Sequence, residues 1–260
     1  MANELIGSSE HQVALAVHTM ERRSDLLGGS YPFQVAEDHL RVNKSAQEFS
    51  YTALLTMTAT SPIGQLFAPS TAEFEVLAVQ FEKVTEVAVR SLLGPGSRAL
   101  RFGYPNDHGR PSDFQEAMVW LAGQLGVNLG GKHRPPRRKD GGVDVIGWRP
   151  FPDNKSGMPL VLVQCTLQKD FTEKAADIDL RHWFGWLDLP TPPTTVLAIP
   201  GHITAPEKWE EIAARSMILD RFRLTGLLGA PDETDPVEGL RETTQNRIKQ
   251  VATRMDEAKW

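Results

Sequence analysis

Two apolar runs decide the fold: Gly142-Val143-Asp144-Val145-Ile146-Gly147-Trp148 and Leu160-Val161-Leu162-Val163-Gln164-Cys165-Thr166. The segment between them, Pro150-Phe-Pro-Asp-Asn-Lys-Ser-Gly-Met158, is rich in the Pro, Asn and Gly residues that favour turns. The two runs are therefore predicted to form an antiparallel β-hairpin. If the strands pair symmetrically about Asn154, Asp144 lies opposite Gln164.

Asp144 is the one charged residue in these two runs. Side chains alternate between the two faces of a strand, and both predicted faces are otherwise apolar, so helices should cover both. A carboxylate in such a setting needs a partner. One interpretation is that Asp144 accepts hydrogen bonds from loop amides after Gly141-Gly142. The other is that Asp144, the side-chain oxygen of Gln164 and the carbonyl of Cys165 bind a divalent metal ion, because Mg²⁺ prefers oxygen ligands.

A basic loop precedes the hairpin. Lys132-His-Arg-Pro-Pro-Arg-Arg-Lys139 holds five Lys or Arg residues in eight positions, and its Pro-Pro pair excludes a helix. The formal net charge of −5 argues against a protein that coats nucleic acid indiscriminately. The loop is either a solvated surface segment or a local phosphate-binding element that consists of Arg134, Arg137, Arg138 and Lys139.

Helices and strands are predicted around the hairpin. Ser112 and Gln115 suggest a capping box for a helix that Gly126 ends, with one apolar stripe formed by Phe114, Met118, Leu121 and Leu125. After the hairpin, the pattern predicts a helix near 171–187, a strand at 194–199, a short strand near Met217 and further helices at 205–228 and 236–259.

Residues 1–110 are predicted to form a mainly helical accessory domain. Amphipathic stretches lie at 10–27, 45–58 and 71–93, with a strand-like segment at 33–42. A Gly- and Pro-rich break at 103–111 separates them from residues 111–260, which are predicted to form an α/β core with a sheet flanked by helices.

The hairpin resembles the PD-(D/E)XK, or restriction-endonuclease-like, nucleases, especially Mrr-like members that read Gly-Val-Asp and later Val-Gln-Cys-Lys. The likeness extends from about Phe114 to Gly201, with Phe114-Gln-Glu and Leu125-Gly126 similar to that superfamily's first helix. It implies a restriction-endonuclease-like core, a mixed sheet flanked by helices. It also implies Mg²⁺- or Mn²⁺-dependent hydrolysis of DNA, with Asp144 and Gln164 at the metal site, and a bacterial restriction or antiphage role.

The chain departs from this superfamily at its lysine, because Thr166 occupies that position. Lys174 is the first substitute, since defence-associated members carry an aromatic-x-x-Lys at about this offset, and Lys169 is the second. Asp170 and Glu173 suggest a capping box that would place Lys174 in the first turn of a helix, where a cation opposes the helix dipole. The alternative is an ordinary surface lysine. The superfamily's first-helix glutamate aligns with Gln115, with Glu116 one position later as the candidate carboxylate.

Two further patterns leave alternatives open. Trp183-Phe-Gly-Trp186 is interpreted as core because of its helical spacing, with a base-stacking surface as the alternative. Leu219-Asp220-Arg221-Phe222-Arg223 indicates either an internal ion pair or phosphate binding.

Composition excludes several classes. The single cysteine permits no intramolecular disulfide and no thiolate zinc site, and no stretch reaches the roughly 20 apolar residues of a membrane span. Motifs of serine hydrolases, P-loop proteins and dinucleotide-binding enzymes are absent. A cytoplasmic protein with no membrane association is expected.

The leading hypothesis is therefore a metal-dependent endonuclease acting on DNA, with Lys169 and the basic loop as further nucleic-acid contacts. The alternative is a catalytically inactive nucleic-acid-binding or scaffold subunit on the same fold. The helical region is also compatible with docking onto a partner such as an ATPase or helicase, and with a homo-oligomer.

Overall fold

The computed structural model describes residues 2–36, 39–64, 69–105, 109–131, 141–230 and 237–257. The helices are α1 (Ala2–Leu27), α2 (Ser50–Ala59), α3 (Thr71–Leu93), α4 (Phe114–Leu125), α5 (Phe171–Lys174), α6 (Leu180–Trp186), α7 (Pro206–Ala213), α8 (Arg221–Leu228) and α9 (Leu240–Glu257). The strands are β1 (Phe33–Val35), β2 (Leu40–Val42), β3 (Arg98–Arg101), β4 (Val145–Trp148), β5 (Leu160–Cys165), β6 (Thr194–Ala198) and β7 (Met217–Leu219). Within these ranges, no helix combines the length and apolar character needed to cross a bilayer.

The described strands form a two-stranded hairpin, β1-β2, and a five-stranded mixed sheet in the order β3-β4-β5-β6-β7. β4 pairs antiparallel with β5, with Val145 opposite Val163 and Trp148 opposite Leu160, which confirms the predicted register. β6 and β7 continue the sheet in parallel with β5. The carboxyl ends of these three strands consequently lie along one edge of the sheet.

Helices cover both faces of the sheet. One face, which includes Val145 and Val163, packs in a single core with residues of α2, α3 and α8. The opposite face, which includes Ile146 and Leu162, packs with residues of α4 and α6. The arrangement confirms an α/β fold with a mixed sheet flanked by helices, and it explains why both faces of the hairpin are apolar.

α3 lies on the first face and is well specified by its sequence. Ser70 and Glu73 form a capping box, in which the Glu73 amide donates to Ser70 Oγ at 3.3 Å and Glu73 Oε2 accepts from the Ser70 amide at 2.8 Å. Helical spacing then buries one stripe, and Gly94 ends the helix at a φ of 79°. The buried apolar residues are Leu77, Phe81, Val84, Ala88 and Val89.

The first 110 residues do not lie apart from the sheet. β3 pairs antiparallel with β4, and Leu54 of α2 and Phe81 of α3 share the core that contains Val145. The sequence patterns miss β3 because it has only four residues and two of them are arginines. How the chain divides into folding units stays a prediction, but the sheet itself begins before residue 110.

Two local predictions are wrong in detail. Asp113, rather than Ser112, caps α4, and its Oδ1 accepts from the Gln115 and Glu116 amides at 2.9 and 3.0 Å. The helix predicted near 171–187 is divided into α5 and α6, because Asp179 caps a new helix by accepting from the Arg181 amide at 2.9 Å. Gly126 ends α4 in the left-handed conformation, as predicted.

The basic loop lies outside the described residues. Its candidate phosphate contacts, Arg134, Arg137, Arg138 and Lys139, therefore stay predictions from the sequence alone.

Candidate functional site

Asp144 is fixed at the start of β4 by main-chain hydrogen bonds on both sides. Its amide donates to the Val163 carbonyl at 2.8 Å, and its carbonyl accepts from the Phe102 and Gly103 amides at 2.6 and 3.0 Å. The residue is only 8% exposed. Its backbone is thus tied both to β5 and to the segment that follows β3, so the position of its carboxylate is well determined.

The carboxylate of Asp144 is bound from across the hairpin. Oδ2 accepts from the Cys165 amide at 2.7 Å and from Gln164 Nε2 at 2.5 Å. Hydrogen bonds to an ionised acceptor are shorter and stronger than those between neutral groups. These two donors come from the end of β5, not from the loop amides that the capping interpretation would use.

Gln164 is buried and only partly satisfied. Its Nε2 also donates to the Cys165 carbonyl at 2.9 Å, whereas its Oε1 is buried without a hydrogen-bond partner. A buried acceptor with no donor is unusual in folded proteins. The site therefore brings together the Asp144 carboxylate, the Cys165 carbonyl and an amide oxygen that lacks a donor, which are the three groups predicted to bind a metal ion.

A second carboxylate, which the sequence analysis missed, comes from α3. Glu82 is 8% exposed, and its Oε2 accepts from Arg101 Nη1 of β3 at 2.7 Å. A Cβ atom added at Gly103 would lie 2.7 Å from Glu82 Oε2, and the Gly103 amide is one of the two that bind the Asp144 carbonyl. Glu82 is thereby held beside the Asp144 end of β4.

A small cavity of about 150 Å³ lies between Glu82 of α3 and the end of β5, and Asp144 is not among the residues that line it. Glu82, Gln164, Cys165, Thr166 and Lys174 are among its lining residues. The cavity therefore places a carboxylate from α3, the end of β5 and the predicted lysine of α5 around one space.

One sequence signal points to Glu82. Glu82 and Glu86 are four residues apart, adjoin the buried stripe of α3 and are both buried in the structure. Acids beside an apolar helical stripe are seldom fully buried unless they are paired, so this pattern marks a candidate site. The resemblance instead assigns α4 as the superfamily's first helix.

Glu116 and Gln115 of α4 occupy a different environment. Both side chains are exposed, and α4 packs on the sheet through Ala117, Met118 and Leu121. Neither residue is among those that line the cavity. The acid at the cavity comes from α3, and a role for Glu116 has no support from its position.

Lys174 lines the cavity, but its local geometry differs from the prediction. Asp170 makes no side-chain cap, and Lys174 is the last residue of the four-residue α5, so it does not oppose the helix dipole. Its Nζ lies 3.2 Å from Asp177 Oδ2, and about a quarter of its side chain is exposed. A Cβ at Gly142 would lie 2.6 Å from the Asp177 carbonyl, which places this pair next to the segment that leads into Asp144.

Thr166 and Lys169 are the other two positions considered for the superfamily's lysine, and neither brings a positive charge to the cavity. Thr166 is 4% exposed, and its Oγ1 accepts from the Gln168 amide at 3.1 Å. Lys169 is exposed and is not among the residues that line the cavity. Lys174 is the lysine that the structure brings to the cavity.

The electrostatic character of the site is negative. The pKa of the Cys165 thiol is raised well above its usual value, first by burial and then by the charges of Asp144 and Glu82. The same charges would favour a bound cation. In the part of the chain that the structure describes, no three His, Cys, Asp or Glu side chains form a group that could hold a metal ion.

The structure decides one of the two patterns that the sequence left open, and phosphate binding by Arg221 or Arg223 stays a prediction. Trp183 and Trp186 are buried in the core, which confirms the core interpretation. Asp220 pairs with a histidine rather than with either neighbouring arginine, because its Oδ2 lies 2.6 Å from His202 Nδ1.

Comparisons with known proteins are sparse. No protein family and no curated protein matches the chain. Among solved structures, it is similar to the MspJI restriction endonuclease in complex with a 27-mer oligonucleotide, at 15% sequence identity and a TM-score of 0.26. The match covers 76% of this chain and 38% of that chain. A likeness at this TM-score does not by itself establish a shared fold, and the superfamily suggested by the hairpin motif stays a prediction.

Proposed function

We propose that this protein is a metal-dependent endonuclease that hydrolyses phosphodiester bonds of DNA. One observation carries the proposal: the buried carboxylate of Asp144 and the unpartnered Oε1 of Gln164 lie together at the end of the β4–β5 hairpin, and Glu82 is held beside them. Such oxygen donors can bind a divalent metal ion, and Lys174 lines the adjacent cavity. A metal ion and a nearby cation can together promote the hydrolysis of a phosphodiester bond.

The residues fit a hard divalent cation. Mg²⁺ commonly binds through one or two carboxylates and keeps several of its waters. Asp144 and Glu82 would supply carboxylate oxygens, Cys165 its carbonyl, and Gln164 its Oε1 after rotation of the amide. The Gln164 Nε2 now donates to both Asp144 and the Cys165 carbonyl, so it occupies the electropositive position that a cation would take. When bound there, Mg²⁺ or Mn²⁺ would supply a water of lowered pKa and neutralise charge on the phosphate.

Lys174 completes the proposed site as a cation directed at the phosphate. Its Nζ is held by Asp177 at 3.2 Å at the border of the cavity, with part of its side chain open to solvent. Exchange of Asp177 for a phosphate oxygen would place a positive charge where negative charge develops during attack on phosphorus. Lys174 would thereby take the role of the superfamily lysine that Thr166 replaces.

Arg101 holds Glu82 in place. Arg101 is 2% exposed, and it donates through Nη1 to Glu82 Oε2 and through Nη2 to the Pro105 carbonyl. Because a buried ion pair has a defined geometry, the carboxylate of Glu82 is pre-oriented toward the cavity before any ligand binds.

The remaining parts of the proposal rest on the sequence. Arg134, Arg137, Arg138, Lys139 and Lys169 are proposed to bind backbone phosphates of DNA. A role in bacterial restriction or antiphage defence, with an ATPase or helicase as partner or with a homo-oligomeric assembly, follows from the resemblance of the hairpin motif.

A second candidate is a catalytically inactive nucleic-acid-binding subunit. Thr166 favours it, because this buried hydroxyl stands where the superfamily's lysine is expected. The two functions differ in one assay, which incubates supercoiled plasmid with the purified protein and Mg²⁺, Mn²⁺ or EDTA. Nicked or linear product that EDTA abolishes supports the nuclease. Retarded but uncut DNA under every metal supports the binding protein.

A further inference from the structure

A separate cluster of polar side chains lies where α2 and α8 meet the end of α1. Arg23 Nη1 donates to the Tyr51 hydroxyl at 3.1 Å, and the guanidinium of Arg221 lies 5.2 Å from the centre of the Tyr51 ring. The Tyr31 and Tyr51 rings meet edge to face at 4.8 Å. Two guanidinium groups and two phenolic hydroxyls therefore converge on one region.

The Nε atom of Arg221 is buried without an acceptor. The residue is 8% exposed, its Nε is buried with no hydrogen-bond partner, and no acceptor for its guanidinium is seen among the described residues. The adjacent carboxylate of Asp220 is already bound, to His202 Nδ1 at 2.6 Å and to the Arg223 amide at 3.1 Å. A buried N–H donor that lacks an acceptor is unfavourable, so proteins seldom retain one without a compensating ligand or group.

The electrostatic surroundings of Arg221 also favour an anionic partner. The pKa of Arg221 is lowered, most of all by burial, and the charge of Arg23 lowers it further against the opposing effects of Tyr51 and Asp220. Arg221 is also the first residue of α8, where the helix dipole adds positive potential. Burial raises the pKa of Tyr31 to about 12, so its hydroxyl keeps its proton at neutral pH and can donate.

The position of the cluster is set by the same sheet that carries the candidate nuclease site. Arg221 follows β7 directly, and its amide donates to the Gly201 carbonyl, beyond the end of β6, at 2.8 Å. The cluster is therefore near the carboxyl edge of the parallel strands, two strands away from Gln164 at the end of β5.

From these contacts we infer that Arg23, Tyr31, Tyr51 and Arg221 form a binding site for a phosphate group. Two guanidinium groups match the charge of a phosphate dianion, and each guanidinium presents the paired N–H groups that bind phosphate oxygens. Arg23, which is only half-buried, is the member through which such a ligand enters. The site is separate from Asp144 and Glu82, and it does not require the proposed nuclease activity.

The test is phosphate binding by the full chain. Isothermal titration calorimetry with inorganic phosphate measures the affinity. The thermal unfolding midpoint is measured in phosphate and, at the same ionic strength, in chloride as the reference. Wild type should bind phosphate and unfold at a higher temperature in its presence. Arg23→Met, a half-buried position that should not prevent folding, should weaken phosphate binding about tenfold or more, since a charge-assisted hydrogen bond is lost. Arg221→Met should abolish the response, and Arg215→Met, at an exposed arginine, should keep it.

Two further arms identify the source of the phosphate and separate this site from the nuclease site. The first arm compares a 5′-phosphorylated oligonucleotide with its 5′-hydroxyl counterpart. If the phosphorylated form binds more tightly and Arg23→Met removes the difference, the ligand is a nucleic-acid end. If the two bind equally while inorganic phosphate still binds, the ligand is a free phosphate compound. The Asp144→Asn protein should bind phosphate as wild type does, even if no cleavage is ever observed. Wild-type protein that responds to phosphate no more than to chloride, or an Arg23→Met protein with unchanged affinity, would overturn the inference.

Discussion

Gln164 Nε2 donates to Asp144 Oδ2 at 2.5 Å across the β4–β5 pair. The same carboxylate oxygen accepts from the Cys165 amide at 2.7 Å, so β5 contributes both donors. The contact joins the two residues that the symmetric hairpin places opposite each other, and it leaves Gln164 Oε1 buried without a donor. The register of the β4–β5 pair thus brings two of the residues proposed to bind the metal ion into direct contact.

Glu82→Gln should lower metal-dependent cleavage by about 100-fold, because the substitution removes one of two proposed anionic ligands while it keeps the shape of the side chain. Cleavage rate against Mn²⁺ concentration is the measurement, and the concentration for half-maximal rate should rise. Glu116→Gln, at an exposed position of α4, is the matched control and should behave as wild type. Equal loss in both variants would show that α3 has no special role.

Gly103→Ala should weaken metal binding roughly 10- to 100-fold through Glu82, the range seen when groups that orient metal ligands are altered. The added Cβ would lie 2.7 Å from Glu82 Oε2, so the carboxylate must move. Mn²⁺ affinity by calorimetry measures the effect. Gly123→Ala, in α4 with open space around the added Cβ, should leave the affinity unchanged. Normal Mn²⁺ affinity in Gly103→Ala would place Glu82 outside the metal site.

Lys174→Met should reduce the cleavage rate by at least about tenfold with little change in DNA affinity, because a single charge acts mainly on the transition state. Lys169→Met, at an exposed position outside the cavity lining, should weaken DNA binding slightly and leave the rate at saturating DNA intact. Single-turnover cleavage and fluorescence anisotropy separate the two quantities. The reverse pattern would move the lysine role to Lys169.

The Cys165 thiol should react slowly with iodoacetamide at pH 8 in the native protein and much faster in guanidinium chloride. Its pKa is raised by burial and by the charges of Asp144 and Glu82, and the thiolate is the reactive form. Because the folded pKa lies above the unfolded value, this thiol contributes stability below about pH 9 that is lost as the pH rises further. Asp144→Asn removes one of the raising charges and should speed the native reaction; an unchanged or slower rate would contradict the proximity of these groups.

Much of the fold near the site was predictable, because local patterns determine it. Alternation and turn residues specify the β4–β5 register, and the capping box together with the apolar stripe of α3 specifies Thr71–Leu93. The short strand near Met217 and the end of α4 at Gly126 were likewise predicted correctly.

The contribution of α3 to the site could not be predicted, because it depends on packing between distant segments. Glu82 is held at the cavity because β3 pairs with β4, and this pairing brings Arg101 and Gly103 beside Glu82. Arg101, in a four-residue strand, has no local signature of function. The pair of acids beside the apolar stripe of α3 marks Glu82 as unusual, but it does not indicate which part of the sheet Glu82 faces. Lys174 was proposed from its offset and does line the cavity, but its role stays a prediction, and the helix dipole argument applied to it was wrong.

The most direct test of the central claim is Mn²⁺-dependent cleavage of supercoiled plasmid by wild type, Asp144→Asn and Asp153→Asn, with EDTA as the metal-free control. Asp153 is an exposed carboxylate in the turn between β4 and β5, so its variant controls for loss of a negative charge. We predict cleavage by wild type and Asp153→Asn that EDTA abolishes, and a loss of about 1000-fold or more in a folded Asp144→Asn protein. Cleavage by Asp144→Asn at the wild-type rate would contradict a metal site at the end of the β4–β5 hairpin.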